Sequence, residues 1–325
     1  MAVFNNSLTH EVAAIGEDHV SGATALALRA AEVLSSFITI ARDWPLRRQR
    51  EGLFTLCSQL FQAQPNMAPI INLCSAAMEA GQRNFRQPGE WAGEVGKVVE
   101  NFHRQLLRSN SAIAELTLPK LSRTPNSLRV LTHSASSSVE EALLHAHRHG
   151  LKLSVICTET RPMLEGRDMA ERLAGAGLDV TLIVDAGIAL AVQESDVCLI
   201  GADAIGLGGV VNKLGTWSMA LAARETGVPI YVLCSTLKFW PAAAGKGPRL
   251  ERYDLHDARE VYDGLAPLRV HNRYFEYTPL DWFTAFLTDA GEMRRTDVTK
   301  YLRQMPYFDA GLFPASGENN HERHH

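Results

Sequence analysis

A chain of 325 residues is long for one hydrophobic core, so two domains are expected. Its 46% hydrophobic and 21% charged residues are ordinary proportions for a folded globular protein. A formal net charge of -4 argues against a broad phosphate-neutralising face, and so against direct nucleic-acid binding.

The opening MAVFNNSLTHEV lacks the basic start and apolar stretch of a secretory signal, and no window reads as a membrane-spanning run. The five cysteines are Cys57, Cys74, Cys157, Cys198 and Cys234. Three of them lie in apolar runs (SVIC, VCLI, YVLC) that read as buried strands, and no pair has metal-ligand spacing. Buried thiols in a reducing compartment explain them better than disulfides. The expectation is a cytoplasmic protein with no metal, no cofactor and no membrane partner. The His-rich ending HERHH carries no functional signal.

Up to about residue 120 the pattern is helical. Apolar positions at Leu26, Ala30, Val33, Leu34, Phe37, Ile40, Ala41 and Trp44 form a stripe at helical spacing, which Pro45 breaks. A second stripe (Leu53, Leu56, Cys57, Leu60, Phe61) stops near Pro65. A third, from Met67 to Ala80, ends at Gly81, which suits a left-handed C-cap. A fourth runs from Trp91 through Val95, Val98, Val99, Phe102 and Leu106 toward a loop around Pro119 and Pro125.

From about residue 128, short β-branched runs alternate with helical stretches. Strands are predicted at 128–132, 151–157, 180–184, 197–200 and 230–233, with helices near 137–149, 167–176, 187–194 and 216–226. The strands are apolar throughout, as when both faces of a parallel sheet are covered, so a doubly wound α/β sheet is expected. Gly150, Gly177 and Gly227 each stand between a helix and the next strand, where a left-handed residue is wanted. The implied division is an all-helical domain over residues 1–122 and an α/β domain over 123–325.

In an open parallel sheet, ligands bind outside the carboxyl ends of the strands. The five segments that follow these strands are polar. They are His133-Ser134-Ala135-Ser136-Ser137-Ser138, then Thr158-Glu159-Thr160-Arg161-Pro162, Asp185, Gly201-Ala202-Asp203, and Ser235 to Lys238. The serine run opens a helix, whose N-terminal N–H groups suit a phosphate. Taken alone, Ser136 and Ser137 are better explained as helix caps. Asp203, with Asn212 and Lys213 after the glycine turn, could clamp and deprotonate a polyol; taken alone, a turn aspartate and an exposed lysine suffice. Glu159 and Arg161 could simply pair with each other. His145, His147 and His149 lie on a predicted helix with no third ligand evident, which reads as a solvated face rather than a zinc site. There is no phosphate loop of the G-x-x-x-x-G-K-[ST] type and no G-x-S-x-G elbow. Gly206-Leu207-Gly208-Gly209 lacks dinucleotide-binding spacing, which disfavours hydride exchange with a nicotinamide.

Taken in order, LTHSASS, TETRPMLEG, VTLIVDAG, IGADAIGLGGVVNKLGT, GVPIYVLCSTLKF and YFEYTPLDWFTAFLTDAG resemble one superfamily. It comprises the alpha, beta and delta regulatory subunits of eukaryotic initiation factor 2B and two isomerases, of methylthioribose 1-phosphate and ribose 1,5-bisphosphate. The similarity is good over residues 128–293 and weaker in the helical part, and NKLGT after GAD is specific to the superfamily. The resemblance implies a Rossmann-like C-terminal domain that forms a homodimer. It also implies a phosphorylated small molecule, sugar or nucleotide, between that domain and the helical one. It assigns proton transfer to Asp203, sugar contacts to Asn212 and Lys213, and a phosphate-side role to Ser136.

The sequence departs from the isomerase pattern in three places. Ser134 stands where the isomerases carry a catalytic cysteine. A thiol titrates near pH ~8.5, whereas an alcohol needs an adjacent base to act. Ser21-Gly22-Ala23 stands for Arg-Gly-Ala, and Gln64 replaces an arginine before Pro65. These losses favour an initiation factor 2B-like protein that binds a phosphorylated sugar or nucleotide with little turnover and signals to a protein partner. Retention of Asp203 favours the alternative, an aldose–ketose isomerase in which Ser134 or a water assists Asp203. In both cases the expected ligand contacts are Ser21, Gly22, Ala23, Gln64, Ser136, Ser137, Glu159, Arg161, Asp185, Asn212, Lys213 and Lys238. They should meet in a cleft at one rim of the sheet, facing the helical lobe.

Overall fold

A computed structural model of the chain describes residues 6–18, 22–122, 127–250 and 256–307. The N-terminal part contains helices α1 (Asn6–Glu17), α2 (Ala23–Ala41), α3 (Leu46–Ala63), α4 (Ala68–Gly81) and α5 (Pro88–Leu121). Proline marks three of the starts: Pro45 is the N-cap of α3, and Pro69 and Pro88 sit in the first turns of α4 and α5. A first-turn N–H has no intrahelical acceptor, so proline costs nothing there. The predicted stripes are the buried faces. Leu26, Leu34, Phe37, Leu53, Leu56, Leu60, Trp91, Val95 and Val99 share one core.

Two helix ends differ from expectation. Gly81 is not a left-handed cap but the last helical residue of α4, followed by Gln82 at φ -85°. Its smallness serves packing, because a Cβ there would lie 2.9 Å from Leu53 Cδ2 and 3.3 Å from Trp91 Nε1. Helix α5 runs through Pro119 rather than stopping before it. Pro119 and Glu115, whose carbonyl loses its helical donor, are both exposed, so water can satisfy that group. By length and composition α2 could cross a bilayer, although it carries Arg29 and Glu32. Its apolar face, however, packs into the helical core, as in a core helix of a globular domain.

The C-terminal part alternates strand and helix. It begins with β1 (Leu128–His133), α6 (Ser137–Arg148), β2 (Leu153–Thr158), α7 (Glu165–Gly175) and β3 (Asp179–Ile183). Next come α8 (Ile188–Gln193), β4 (Val197–Ile200), β5 (Ala204–Gly206), β6 (Gly209–Lys213), α9 (Thr216–Thr226) and β7 (Ile230–Leu233). The last are β8 (Phe275–Thr278), β9 (Ala285–Thr288), β10 (Gly291–Met293) and α10 (Arg295–Gln304). The large sheet has the order β10-β9-β7-β4-β1-β2-β3 and is parallel except for β10. Gly150, Gly177 and Gly227 have φ of +81°, +91° and +75°, the left-handed conformation that their positions required.

Side chains alternate across this sheet into two cores. Val130, Val155 and Leu199 pack with α6, α7 and the C-terminal half of α5, whereas Leu131, Ile200 and Val232 pack with α8, α9 and α10. Helix α5 therefore serves both parts of the chain, its first half in the helical core and its second half on the sheet. Strand β3 departs from the expected double-sided burial: it is the sheet edge, and Leu182 is 47% exposed. A second sheet, β5-β6-β8, is antiparallel and was not apparent in the sequence. It carries Asn212 and Lys213 on β6 and follows directly on Asp203.

Candidate functional site

The strand order reverses at β1: β2 and β3 lie on one side, and β4, β7 and β9 on the other. Loops that leave neighbouring strands in opposite directions open a crevice at their carboxyl ends. Here those are the loops carrying Ser134 and Ser136 after β1, and Gly201-Ala202-Asp203 after β4. They touch. A Cβ on Gly201 would lie 2.4 Å from Ser136 Oγ and 2.7 Å from Ser136 Cβ, so only glycine permits this approach. Ser136 is the backbone N-cap of α6, yet its side chain makes no capping bond. The capping role expected for its hydroxyl is therefore not the one it plays. Ser137, the first helical residue, is exposed.

The β1 loop is held by a hydrogen-bonded chain. The Ser134 N–H donates to Thr160 Oγ1 at 3.0 Å, and the Thr158 and Thr160 hydroxyls lie 3.1 Å apart. His133 Nδ1 lies 2.7 Å from Thr158 Oγ1, and Nε2 lies 2.9 Å from the Leu214 carbonyl oxygen. A carbonyl only accepts, so Nε2 carries the proton and Nδ1 accepts from Thr158. Burial pushes the His133 pKa below its usual value, which keeps this ring neutral.

Ser134, Thr160 and Leu164 all have left-handed backbones, with φ of 66°, 62° and 62°. Such conformations are uncommon outside glycine and costly for a β-branched threonine, and they gather at functional loops. They bring the first residue of α7, Glu165, back over the end of β1. Its Oε1 accepts from Ser134 Oγ at 3.1 Å and pairs with Lys213 Nζ at 2.6 Å. Its Oε2 is buried with no partner. The next residue must be glycine, because a Cβ on Gly166 would lie 1.9 Å from the Thr158 carbonyl oxygen.

Asp203 retains some solvent access, but its carboxyl lies deep enough that burial pushes its pKa up. The nearby Lys238 and Lys213 oppose that shift, and Glu165 adds to it. Both lysines are themselves buried. Lys238 donates to the Ala202 carbonyl at 2.7 Å, and the Lys213 ammonium also lies over the rings of Tyr274 and Phe275. Thus Ser134, Glu165, Asp203, Lys213 and Lys238 form one charged cluster, with Ser136 at its edge.

The remaining expected contacts have partners within the protein. Glu159 pairs not with Arg161 but with Arg167 Nη2, at 2.5 Å. The Arg161 side chain is exposed and reaches the Glu260 carbonyl. Asp185 receives the N–H groups of Thr160 and Arg161 at 2.8 and 2.6 Å, so it shapes the loop. Asn212 donates to Thr216 Oγ1 and is buried. Gln64 donates to the carbonyls of Ile15 and Asp18, tying α1 to the end of α3. Gly22 is the N-cap of α2 and Ala23 its first residue. Ser21 lies outside the described residues.

The sequence reading missed Glu165, whose signal was an acidic residue before a glycine at a helix start. It also missed Asn72, which donates from α4 to the carbonyls of Leu237 and Phe239. Among the described residues, no group of three or more acidic, His or Cys side chains could hold a metal.

Residues 19–295 match the sequence model of the Initiation factor 2 subunit family. The chain is 30% identical over 281 residues to a ribose 1,5-bisphosphate isomerase of Archaeoglobus fulgidus, covering 84% of this chain and 85% of that one. It is 37% identical over 186 residues to a methylthioribose-1-phosphate isomerase of Heliobacterium modesticaldum, covering 52% of this chain and 54% of that one. Its fold is similar to that of the translation initiation factor eIF-2B of Pyrococcus horikoshii. The TM-score is 0.72 at 24% identity, over 90% of this chain and 98% of that one.

Proposed function

The chain belongs to the Initiation factor 2 subunit family, and on that premise we propose that its crevice binds a 1-phosphorylated pentose and isomerises it from aldose to ketose. The carrying observation is Asp203. Its carboxyl follows the carboxyl end of β4 with Lys213 and Lys238 nearby, and burial raises its pKa, which suits a group that gives up and takes back a proton. A pocket that only senses a ligand has no need of it.

The conversion of a furanose 1-phosphate to the open ketose breaks the bond between C1 and the ring oxygen. One hydrogen moves from C2 to C1, the C2 hydroxyl loses its proton to become a carbonyl, and the ring oxygen gains a proton. Asp203 in its protonated form supplies the ring oxygen. The phosphate sits at the N-terminus of α6 beside Ser136 and Ser137, where the helix N–H groups point outward. Lys213 and Lys238 compensate its charge at the other side of the crevice. The proposal places the protein in the cytoplasm as a homodimer, with the exposed apolar side chains of Leu182, Val184 and Leu190 near the sheet edge available for a second copy.

A second reading, binding without turnover by an initiation factor 2B-like regulator with a protein partner, is favoured by one observation. Gln64 stands where the isomerases carry an arginine, and its amide is spent on the carbonyls of Ile15 and Asp18. One experiment separates the two. Wild type and Asp203→Asn are incubated with ribose 1,5-bisphosphate and with methylthioribose 1-phosphate, and ketose formation is followed by NMR alongside thermal denaturation. Ketose formation that Asp203→Asn abolishes supports the isomerase; thermal stabilisation without any ketose supports the regulator.

A further inference from the structure

We propose that Ser134 and Glu165 form the proton-accepting arm of the site, with Glu165 acting through the serine as the base that a hydroxyl requires. The inference deepens the isomerase reading and rests on it. Ser134 occupies the carboxyl end of β1 across the crevice from Asp203, and its Oγ donates to Glu165 Oε1 at 3.1 Å. An alcohol this close to a carboxylate can pass its proton on while accepting another. In the step assigned here, the proton of the substrate C2 hydroxyl moves to Ser134 Oγ while the Ser134 proton moves to Glu165 Oε1. Asp203 meanwhile releases its proton to the ring oxygen, so the substrate gains one proton and loses one. Between turnovers a proton returns from Glu165 to Asp203 through solvent, and no other reactant is needed.

The plainer explanation is that Glu165 is an acidic residue at a helix N-terminus with a lysine partner. Three observations go beyond it. Lys213 and Ser134 share the same carboxylate oxygen, so the ion pair and the serine contact are one arrangement. The other oxygen, Oε2, is buried without a partner, whereas a carboxylate serving only structure is ordinarily satisfied at both oxygens. The contact is also made between loops in which Ser134, Thr160 and Leu164 hold left-handed backbones and Gly166 lies too close to the Thr158 carbonyl for a Cβ. Asp203 senses Glu165 across the crevice, which places the donor and acceptor arms within electrostatic reach.

Two measurements test the relay. The first is a kinetic cycle on ribose 1,5-bisphosphate with wild type, Glu165→Gln, Ser134→Cys and the double variant. Glu165→Gln should lower kcat about 10²–10⁴-fold with little change in KM. In the Ser134→Cys background the same change should cost under about tenfold, because a thiol, titrating near pH ~8.5, can ionise without an adjacent base. Equal losses in both backgrounds would mean that Glu165 only props up Lys213, and the relay would be overturned. The second needs no turnover: a fluorophosphonate, in which Ser134 Oγ would displace fluoride from phosphorus as its proton passes to Glu165. Mass spectrometry should find Ser134 labelled in wild type, much less in Glu165→Gln, and not in Ser134→Ala. Labelling that depends on Glu165 without isomerase activity would retain the relay and refute the isomerase. Isomerase activity with Ser134 unlabelled, or labelled equally in Glu165→Gln, would refute the relay alone. Absence of both activity and labelling refutes both.

Discussion

Asn72 donates one amide nitrogen to the carbonyl oxygens of Leu237 and Phe239, at 2.7 and 2.8 Å, and so straddles Lys238 from the helical side. This is where the N-terminal helices meet the rim of the sheet. Removing the donor strands two carbonyls next to the lysine that faces Asp203. Asn72→Ala should destabilise the fold by about 2 kcal/mol and weaken ligand-induced stabilisation beyond that loss. Thermal denaturation with and without ribose 1,5-bisphosphate reads both. An unchanged ligand shift would show that the helical lobe does not hold Lys238 in place.

Two glycines of α7 should respond to alanine with opposite signs. At Gly166 a Cβ meets the Thr158 carbonyl oxygen at 1.9 Å, and backbone cannot move aside. Gly166→Ala should cost about 3 kcal/mol or more. At Gly175 a Cβ meets nothing within 4 Å, and the residue is helical. Gly175→Ala should stabilise by about 0.5 kcal/mol through helix propensity. Urea midpoints of the two variants check the contrast.

The contrast between these glycines also shows what the sequence made legible. The strands β4 and β7 could be read because a strand covered on both faces is an unbroken apolar run, and β1 and β2 because their apolar runs are interrupted only by Arg129 and Ser154 before their polar ends. Gly150, Gly177 and Gly227 announced their turns by position alone. The sheet β5-β6-β8 could not be read, since strands of 3, 5 and 4 residues are too short to show a period and β8 lies far along the chain from the β5-β6 hairpin. Glu165 was hidden for a different reason: its partners Ser134 and Lys213 come from distant parts of the chain. Likewise, the place of Asp185 at a strand end could not reveal that its carboxylate accepts the Thr160 and Arg161 N–H groups.

All five cysteines are free and buried. Burial pushes the Cys157, Cys198 and Cys234 thiols up to about 12, and the Cys57 thiol is raised by burial and by its neighbour Cys74. The thiolate is the reactive form, so native protein at pH 8 should release almost no thionitrobenzoate from Ellman's reagent, and unfolded protein should titrate five thiols. Rapid labelling of even one thiol in native protein would contradict the packing of these strands and helices.

Asp203 also sets a pH dependence of stability whose sign can be fixed in advance. Its pKa is raised in the folded state by burial, with Lys238 and Lys213 opposing and Glu165 assisting. Below the unfolded aspartate pKa of about 4 the carboxyl is protonated in both states and imposes no penalty. As pH rises through the folded value, the native protein must ionise a buried group, so the stability present at low pH is lost. Asp203→Asn keeps the shape without the titration. Its stability relative to wild type should therefore grow from about pH 4 upward and level off once the native carboxyl has ionised. The gain is about 1.4 kcal/mol for each unit by which the native pKa exceeds the unfolded one. Melting temperatures of both proteins between pH 4 and 9 follow that difference. A gap that stays constant, or shrinks with rising pH, would mean that the two lysines outweigh burial and that Asp203 is an ordinary ion-paired carboxylate.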